Sequence, residues 1–191
     1  MNTPVRPFEF STLSKWLHWG SLVLLFGMAA AGTIMTSLQD GNPQKLMMYR
    51  THGTIGLLMV LATLARIVIR LRRRQPAPEG MTEKWNLWLH DAVQWGIYLV
   101  LLGLGISGMG TFALNNMTAF SADPAALDRS VPTIQGHFLM TRLLLVLVFL
   151  HVAGVLRHQF TRSNILRRMG LNLPIGKASQ PTAPPVASDH S

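Results

Sequence analysis

Long runs of apolar residues dominate this chain and alternate with shorter polar segments. Four such runs stand out, at about residues 16–35, 52–69, 88–112 and 137–156. Each is long enough to cross about 30 Å of hydrocarbon as an α-helix. Inside lipid the backbone has to satisfy its own hydrogen bonds, which a single segment achieves by forming a helix. The pattern therefore predicts an all-α integral membrane protein, a bundle of four transmembrane helices. The helices are expected at about 16–36, 51–71, 86–112 and 135–158.

The same pattern divides the chain into three parts. A short N-terminal segment, 1–15, precedes the transmembrane domain, which we place at 16–158. Residues 159–191 follow as a basic segment and a tail rich in Pro, Ala and Ser, a composition typical of disorder. The largest loop, about 115–131, joins the third and fourth helices.

The N-terminus shares its outline with a signal peptide, because basic residues precede an apolar run that contains Ala29 to Ala31. Two features argue against cleavage there. His18 lies within the apolar run, and the run continues past these alanines. We therefore interpret it as the first transmembrane helix.

Lysine and arginine are distributed unequally between the two ends of the predicted helices. One side carries 13 of the 17 basic residues. These are Arg6, Lys15, Arg66, Arg70, Arg72, Arg73, Arg74, Lys84, Arg157, Arg162, Arg167, Arg168 and Lys177. The other side carries Lys45, Arg50, Arg129 and Arg142. Cytoplasmic loops are enriched in basic residues, so both termini are predicted to lie in the cytoplasm.

The composition limits the partners and cofactors that the chain can bind. The net charge of +9 would suit nucleic acid, but the basic residues gather at the ends of apolar runs, so lipid is the expected partner. Charged residues make up only 13% of the chain. The absence of cysteine excludes disulfides, iron–sulfur clusters and covalently attached haem. Histidine is the ligand type that remains in number, and His190 in the tail is the one outside the apolar regions.

Four histidines are expected at two depths of the bundle. His52 and His137 open the second and fourth apolar runs, which places both near the outer side. His151 follows His137 by 14 residues, so it lies about 21 Å deeper and about 40° from the same helix face. His18 begins the first run on that deeper, cytoplasmic side, where His90 is a competing candidate. Pairs of imidazoles facing each other across a bundle suit six-coordinate haem.

Arg66 follows His52 by the same 14 residues and shares its helix face at the cytoplasmic level. An arginine inside an apolar helix usually faces a polar partner in the bundle. A haem propionate is one candidate partner, since guanidinium pairs with carboxylates. Extension of the side chain to the nearby headgroups is the alternative.

Two further interpretations concern the surroundings of the histidines. Gly56 and Gly154 lie one turn beyond His52 and His151, where small residues leave room for a flat macrocycle or for close helix packing. Zinc is the main alternative metal, but it favours tight clusters that include carboxylates. Only Asp91, next to His90, places a carboxylate beside one of these histidines.

With these features in place, the sequence resembles the prokaryotic cytochrome b561 family, small four-helix membrane cytochromes with two haem groups. The resemblance covers about residues 11–170. The segments that carry it are Leu17-His18-Trp19, His52-Gly53-Thr54-Ile55-Gly56 with Arg66 and Arg70, Gly136-His137 with His151, Arg157-His158-Gln159-Phe160, and Asn164-Ile165-Leu166-Arg167-Arg168-Met169.

The resemblance implies two haem b groups. His18 and His151 would ligate the cytoplasmic iron, and His52 and His137 the periplasmic iron. His90 is then a non-ligand. Family members often carry a histidine four residues before a tyrosine in the third helix, whereas here Gln94 precedes Tyr98. His90 and His158 remain candidates for a position near a quinone.

The resemblance also implies the activity and the location, a multi-pass protein of the bacterial inner membrane. Such proteins exchange electrons with ubiquinone, and some oxidise superoxide at the outer face. The chain is therefore expected to carry electrons between the periplasmic side and the quinone pool, with superoxide as one candidate donor. The alternative is a membrane anchor that relays electrons from a periplasmic redox partner. A further alternative is a transporter or a structural membrane subunit, and either of these would need no cofactor.

Overall fold

The computed structural model describes residues 10–72, 83–161 and 165–171. Within these ranges the chain forms long helices and no strand. The helices are α1 (Thr12–Ser37), α2 (Pro43–Arg72), α3 (Lys84–Leu114), α4 (Pro132–Thr161) and the short α5 (Ile165–Arg168). The first four are long and apolar enough to cross a membrane, which confirms the predicted all-α bundle. Residues 1–9, 73–82, 162–164 and the tail from 172 lie outside the described residues, and with them Arg6, Arg73, Arg74, Arg162 and Lys177.

Each helix is longer than the apolar run that predicted it. The largest difference is at α2, which begins at Pro43, nine residues before His52. Hydrophobicity marks only the part of a helix in hydrocarbon, whereas the helix itself continues into the polar interface. Local chemistry sets the starting points instead. Pro43 and Pro132 open α2 and α4, where their missing N–H is harmless, and Ser11 caps α1 by accepting a bond from the Ser14 amide at 3.3 Å.

Neighbouring helices in the sequence are neighbours in space. Close backbone contacts join α1 with α2, α2 with α3, and α3 with α4, and α5 lies against α4. A buried cluster of Met59, Leu101 and Leu144 ties α2, α3 and α4 together at mid-height. Among the described residues, the backbone of α4 makes no close contact with that of α1 or α2. A gap between α4 and these two helices is therefore left for side chains to fill.

The outer surface of the bundle is apolar. Large side chains such as Phe26, Leu99 and Phe149 are each about two-thirds or more exposed. In contrast, small hydroxyl side chains are among the most buried groups, and Thr63 is 1% exposed. This inverted distribution is what a lipid solvent allows, because the outside needs no polar cover and interior hydroxyls can bond to the helix backbone.

Candidate functional site

The first histidine pair joins the first and last transmembrane helices. His18 on α1 and His151 on α4 face each other with ring centroids 6.3 Å apart and planes tilted by 56°. Trp19 packs edge-on against His18 at 5.1 Å. The two rings bridge the gap between α1 and α4, whose backbones do not otherwise meet in the described part of the chain.

The second pair lies at the other level of α4. His52 on α2 and His137 on α4 have ring centroids 6.1 Å apart, with their planes at 64°. All four histidines singled out from the sequence therefore meet in two pairs, and both pairs use the same gap. The pairs are separated by the 14 residues between His137 and His151, about 21 Å along the helix.

The ring separations suit one metal ion between each pair. A metal–imidazole bond is about 2 Å long, so two rings on opposite sides of one ion have their centroids roughly 6 Å apart. The described residues contain no group of three or more His, Cys, Asp or Glu side chains that could hold a metal by themselves. The donor set therefore matches an ion whose remaining ligands come with it, as the four nitrogens of a porphyrin do.

Glycines border the outer pair more closely than the sequence indicated. A Cβ built on Gly32 would lie 3.7 Å from Cε1 of His52, and one on Gly108 would lie 3.5 Å from Cε1 of His137. No sequence pattern signals either residue, because each touches a ring on another helix. Gly56 instead packs against Met28 of α1, with 3.4 Å from its Cβ position to Cε, and Gly154 faces open space.

The Nδ1 atoms of the outer pair differ in their partners. The Nδ1 atom of His137 lies 3.0 Å from the hydroxyl of Ser107. The Nδ1 atom of His52 is buried and, within the described residues, it is the one buried side-chain nitrogen or oxygen without a hydrogen-bond partner. A buried polar atom of this kind is expensive unless a ligand or water uses it or its ring.

Arg66 points into the bundle at the level of the His18–His151 pair. Its Nη2 atom lies 3.2 Å from Nδ1 of His18, and its guanidinium stacks over the ring of Tyr98 at 5.5 Å. The side chain therefore faces the His18–His151 pair inside the bundle. An always-charged group beside two neutral rings is a natural partner for an anion brought in by a cofactor.

His90 takes part in a separate polar ring between α2 and α3. Arg70 donates to Oε1 of Gln94 and, at 2.8 Å, to Oδ1 of Asp91. Because Oε1 of Gln94 accepts from Arg70, the NH2 group of the same amide faces Nε2 of His90, at 2.9 Å. Nδ1 of His90 then carries the proton and meets Oδ1 of Asp91 at 3.3 Å. Both ring nitrogens of His90 are engaged in this network, although the ring lies near enough to His151 to interact with it electrostatically.

His158 lies in the last turn of α4 and is 6% exposed. Its neighbour Gln159 is also buried, and its Oε1 accepts a bond from the Leu166 amide of α5 at 3.1 Å. The chain after α5 then returns to α1, where the indole nitrogen of Trp19 donates to the Met169 carbonyl at 3.0 Å. A pocket of about 340 Å³ opens here, lined mainly by Lys15, Trp16, Trp19, Met169 and Leu171.

Comparison with known proteins agrees with this geometry. A family model described as prokaryotic cytochrome b561 matches residues 9–171. The chain belongs to the prokaryotic cytochrome b561 family. A relative, cytochrome b561 homolog 2 of Escherichia coli (strain K12), is 27% identical, with 93% of this chain and 95% of that protein covered. The chain is therefore a bacterial multi-pass membrane cytochrome of the b type that binds haem b and transfers electrons.

In this cytochrome a folded loop, residues 115–131, covers the outer end of α2 beside His52. Ala119 and Phe112 come so close to Gly53 that a Cβ there would lie 3.0 Å from each. Arg50 donates to the Ala122 carbonyl at 3.4 Å, and Ala122 is fully buried. The amide of Asp128 bonds to the side chain of Asn115 at 2.6 Å, which closes the neck of the loop.

A charged latch joins this loop to the turn between α1 and α2. Asp40 accepts bonds from Nζ of Lys45 at 2.8 Å and from the guanidinium of Arg129. These two bonds, that of Lys45 first, hold the pKa of Asp40 below its ordinary value. Lys45 is 5% exposed and also bonds to the Leu38 carbonyl at the end of α1. The latch connects three segments of the outer face through one carboxylate.

We expect Asp40→Asn to loosen the loop at neutral pH. Because the pKa of Asp40 is lowered on folding, the latch stabilises the closed loop above the ordinary carboxyl pKa of about 3.9 and loses this effect as the pH falls further. Hydrogen exchange of residues 115–131 should therefore rise in Asp40→Asn at pH 7, as it does in the parent only in strong acid. Asp123→Asn, which removes a charge from the loop but not the latch, is the control. Equal hydrogen exchange in Asp40→Asn and the parent at pH 7 would show that the latch does not stabilise the loop.

Proposed function

We propose that this chain binds two haem b groups, one between His18 and His151 and one between His52 and His137, and that it carries electrons between the periplasmic side and the quinone pool. The observation that carries the proposal is the meeting of two histidine pairs at two levels of one gap. Bound haem supplies a one-electron carrier whose potential the protein tunes. Four histidines on three helices hold the carriers, and the apolar helices keep water away.

The orientation belongs to the same proposal. The basic residues of α2's last turn, of α5 and of the α4 terminus favour the cytoplasm for that end of the bundle and for both termini. The His52–His137 pair then lies near the periplasm of a bacterial inner membrane, and the His18–His151 pair near the cytoplasm. A transfer distance of about 20 Å between the two levels follows from the rise of α4.

Arg66 is proposed to bind a propionate of the cytoplasmic haem. A guanidinium only donates, so its contact with His18 requires Nδ1 of that ring to accept. An imidazole that ligates iron through Nε2 carries its proton on Nδ1. The Nδ1–H group of His18 and the guanidinium of Arg66 would then both be donors, and no hydrogen bond could join them. Ligation therefore frees Arg66, and a carboxylate at the same level is the partner that satisfies it.

Arg66→Gln is expected to weaken retention of the cytoplasmic haem by about 10–100-fold, the usual cost of losing a group that holds a metal ligand in place. Haem loss to an acceptor protein, followed by absorbance, measures it. Arg66→Lys should recover part of the effect, since it keeps the charge without the two-pronged geometry. Arg142→Gln, which removes an arginine from the outer half of α4, should leave this haem in place. Unchanged retention in Arg66→Gln would remove the residue from the haem site.

The quinone is proposed to bind at the cytoplasmic end. The pocket between α1 and the chain after α5 has about 340 Å³, within the range of ligand sites, and two tryptophans supply flat apolar walls. It lies one turn from His18 along α1. Of the two histidines considered for this role, His90 is tied into the ring with Arg70 and Asp91, so His158, at the α4–α5 corner, is the better candidate.

Superoxide is the donor that we propose first. Oxidation of superoxide to oxygen releases one electron, and reduction of a quinone to quinol takes two electrons and two protons, so two superoxide ions are consumed for each quinol. The outer side carries four basic residues, Lys45, Arg50, Arg129 and Arg142, against three acidic ones, Asp40, Asp123 and Asp128. This surplus of positive charge is small, and the folded loop covers the outer pair. Both features favour a second candidate donor, a periplasmic redox protein that docks on the loop.

Reduction of the isolated cytochrome by superoxide decides between these donors. The protein is mixed with an enzymatic superoxide source, and the α-band of the haem is followed with and without superoxide dismutase. Rapid reduction that dismutase abolishes, and that a water-soluble quinone reverses, supports superoxide as donor. Absence of reduction, in protein that dithionite still reduces, assigns the electron to a protein partner. A colourless protein after expression with ample haem would contradict both.

A further inference from the structure

We propose that Ser107 is a positioning residue that fixes His137 in the tautomer needed to bind iron. This inference rests on the proposed function, in which His137 ligates the outer haem. Ser107 lies on α3, a helix that contributes no histidine to either pair.

One arrangement of protons satisfies both contacts of the Ser107 hydroxyl at the same time. Its hydroxyl carries a single proton, which it donates to the Leu104 carbonyl at 3.1 Å. The same oxygen lies 3.0 Å from Nδ1 of His137, so at that contact it accepts and the ring donates. In this arrangement the proton of His137 is on Nδ1, where the Leu104 backbone is a second neighbour, and Nε2 is left with its lone pair for a metal ion.

The local structure of α3 brings Ser107 to this ring. Its neighbour Gly108 has no side chain, and a Cβ there would lie 3.7 Å from Nδ1 of His137. The helix backbone thus passes directly along the Nδ1–Cε1 edge of the imidazole. Ser107 is 8% exposed, so neither water nor lipid competes strongly for the bond. Packing and hydrogen bonding therefore both hold this edge of the ring.

The outer pair is consequently asymmetric. Nδ1 of His137 has a close side-chain partner that orients it, whereas Nδ1 of His52 makes no hydrogen bond of good geometry among the described residues and has the Met28 backbone nearby. An acceptor on the far nitrogen of a ligating histidine fixes the ring and makes it a stronger electron donor to the metal. His137 is therefore the anchoring ligand of the outer site, and the bond to Ser107 stabilises the ferric state relative to the ferrous state.

The test compares Ser107→Ala with the parent in the full-length, haem-loaded protein. Loss of the acceptor should raise the midpoint potential of one haem and leave the other unchanged. An about tenfold change in relative ferric and ferrous stability corresponds to about 59 mV for one electron. The ring, no longer fixed, should also release its haem about 10–100-fold more readily. Potentiometric titration and transfer of haem to an acceptor protein measure the two effects.

Two matched comparisons separate positioning from general damage. The side chains introduced by Ser107→Thr and Ser107→Val have the same shape, and only the threonine keeps the hydroxyl, so only Ser107→Thr should retain the parent potential. Thr111→Val removes a buried hydroxyl one turn further along α3, which bonds to the Ser107 carbonyl at 2.9 Å and to Thr133 at 2.7 Å but not to the His137 ring, and it should move neither potential. Equal potentials in Ser107→Thr and Ser107→Val would overturn the proposal.

The result also separates this inference from the proposed function. If His137→Ala loses a haem while Ser107→Ala keeps the parent potentials, the ligand assignment stands and the role of Ser107 is wrong. If His137→Ala retains both haems, the ligand assignment itself is wrong.

Discussion

Single replacements of the paired histidines by alanine are expected to remove haem in two groups. Loss of His52 or His137 should remove the periplasmic haem, and loss of His18 or His151 the cytoplasmic one. Each ring faces one partner at about 6 Å, and within the described residues no third ligand lies ready to replace it. The haem-to-protein ratio should fall from two to one in every case, and the spectrum of the remaining haem should be the same within each group.

His90→Ala is the matched control for these variants. His90 is also a histidine at the cytoplasmic level, but its nitrogens contact Gln94 and Asp91. The variant should therefore retain both haems. If His90→Ala loses a haem while His18→Ala keeps both, then His90 of α3, and not His18 of α1, is the ligand.

The second large effect is expected at Gly105 of α3, which packs against Val60 of α2. A Cβ built on Gly105 would overlap Cγ2 of Val60. Valine has essentially one rotamer in a helix, so the side chain has little room to turn away and the helices have to separate. Gly105→Ala should lower the free energy of unfolding by about 1–3 kcal/mol, the usual cost of overpacking. Thermal loss of the haem absorbance at lower temperature measures this.

Two variants make the effect at Gly105 specific. Gly27→Ala lies on the exposed side of α1, where a Cβ would have nothing within 4 Å, and it should not destabilise. Adding Val60→Ala to Gly105→Ala removes the overlapping methyl groups and should restore much of the stability. A Gly105→Ala protein as stable as the parent would mean that the α2–α3 contact is looser than described.

The sequence predicts the architecture and the histidine pairs because both depend on spacing along single helices. Hydrophobic length marks the four spans, and the 14-residue interval from His137 to His151 sets two levels on one face. The structure brings His18 and His52 to those levels on α1 and α2. Arg66 likewise faces the bundle at the level that its spacing from His52 indicates.

The features that the sequence does not predict arise from contacts between helices. Ser107 and Gly108 matter because of a ring on α4, and nothing in their own segment marks them. The polar first turns of α2 lie beyond the hydrocarbon, so hydrophobicity cannot detect them. The fold of the outer loop depends on Arg129 reaching Asp40, 89 residues away along the chain.

The number of haems bound to the purified protein tests the central claim most directly. Pyridine haemochrome absorbance, divided by protein concentration from amino-acid analysis, gives the ratio, and the reduced-minus-oxidised spectrum shows the ligation state. We predict two low-spin haem b groups for each chain. A ratio of one in fully loaded protein would contradict the assignment of an iron to each histidine pair.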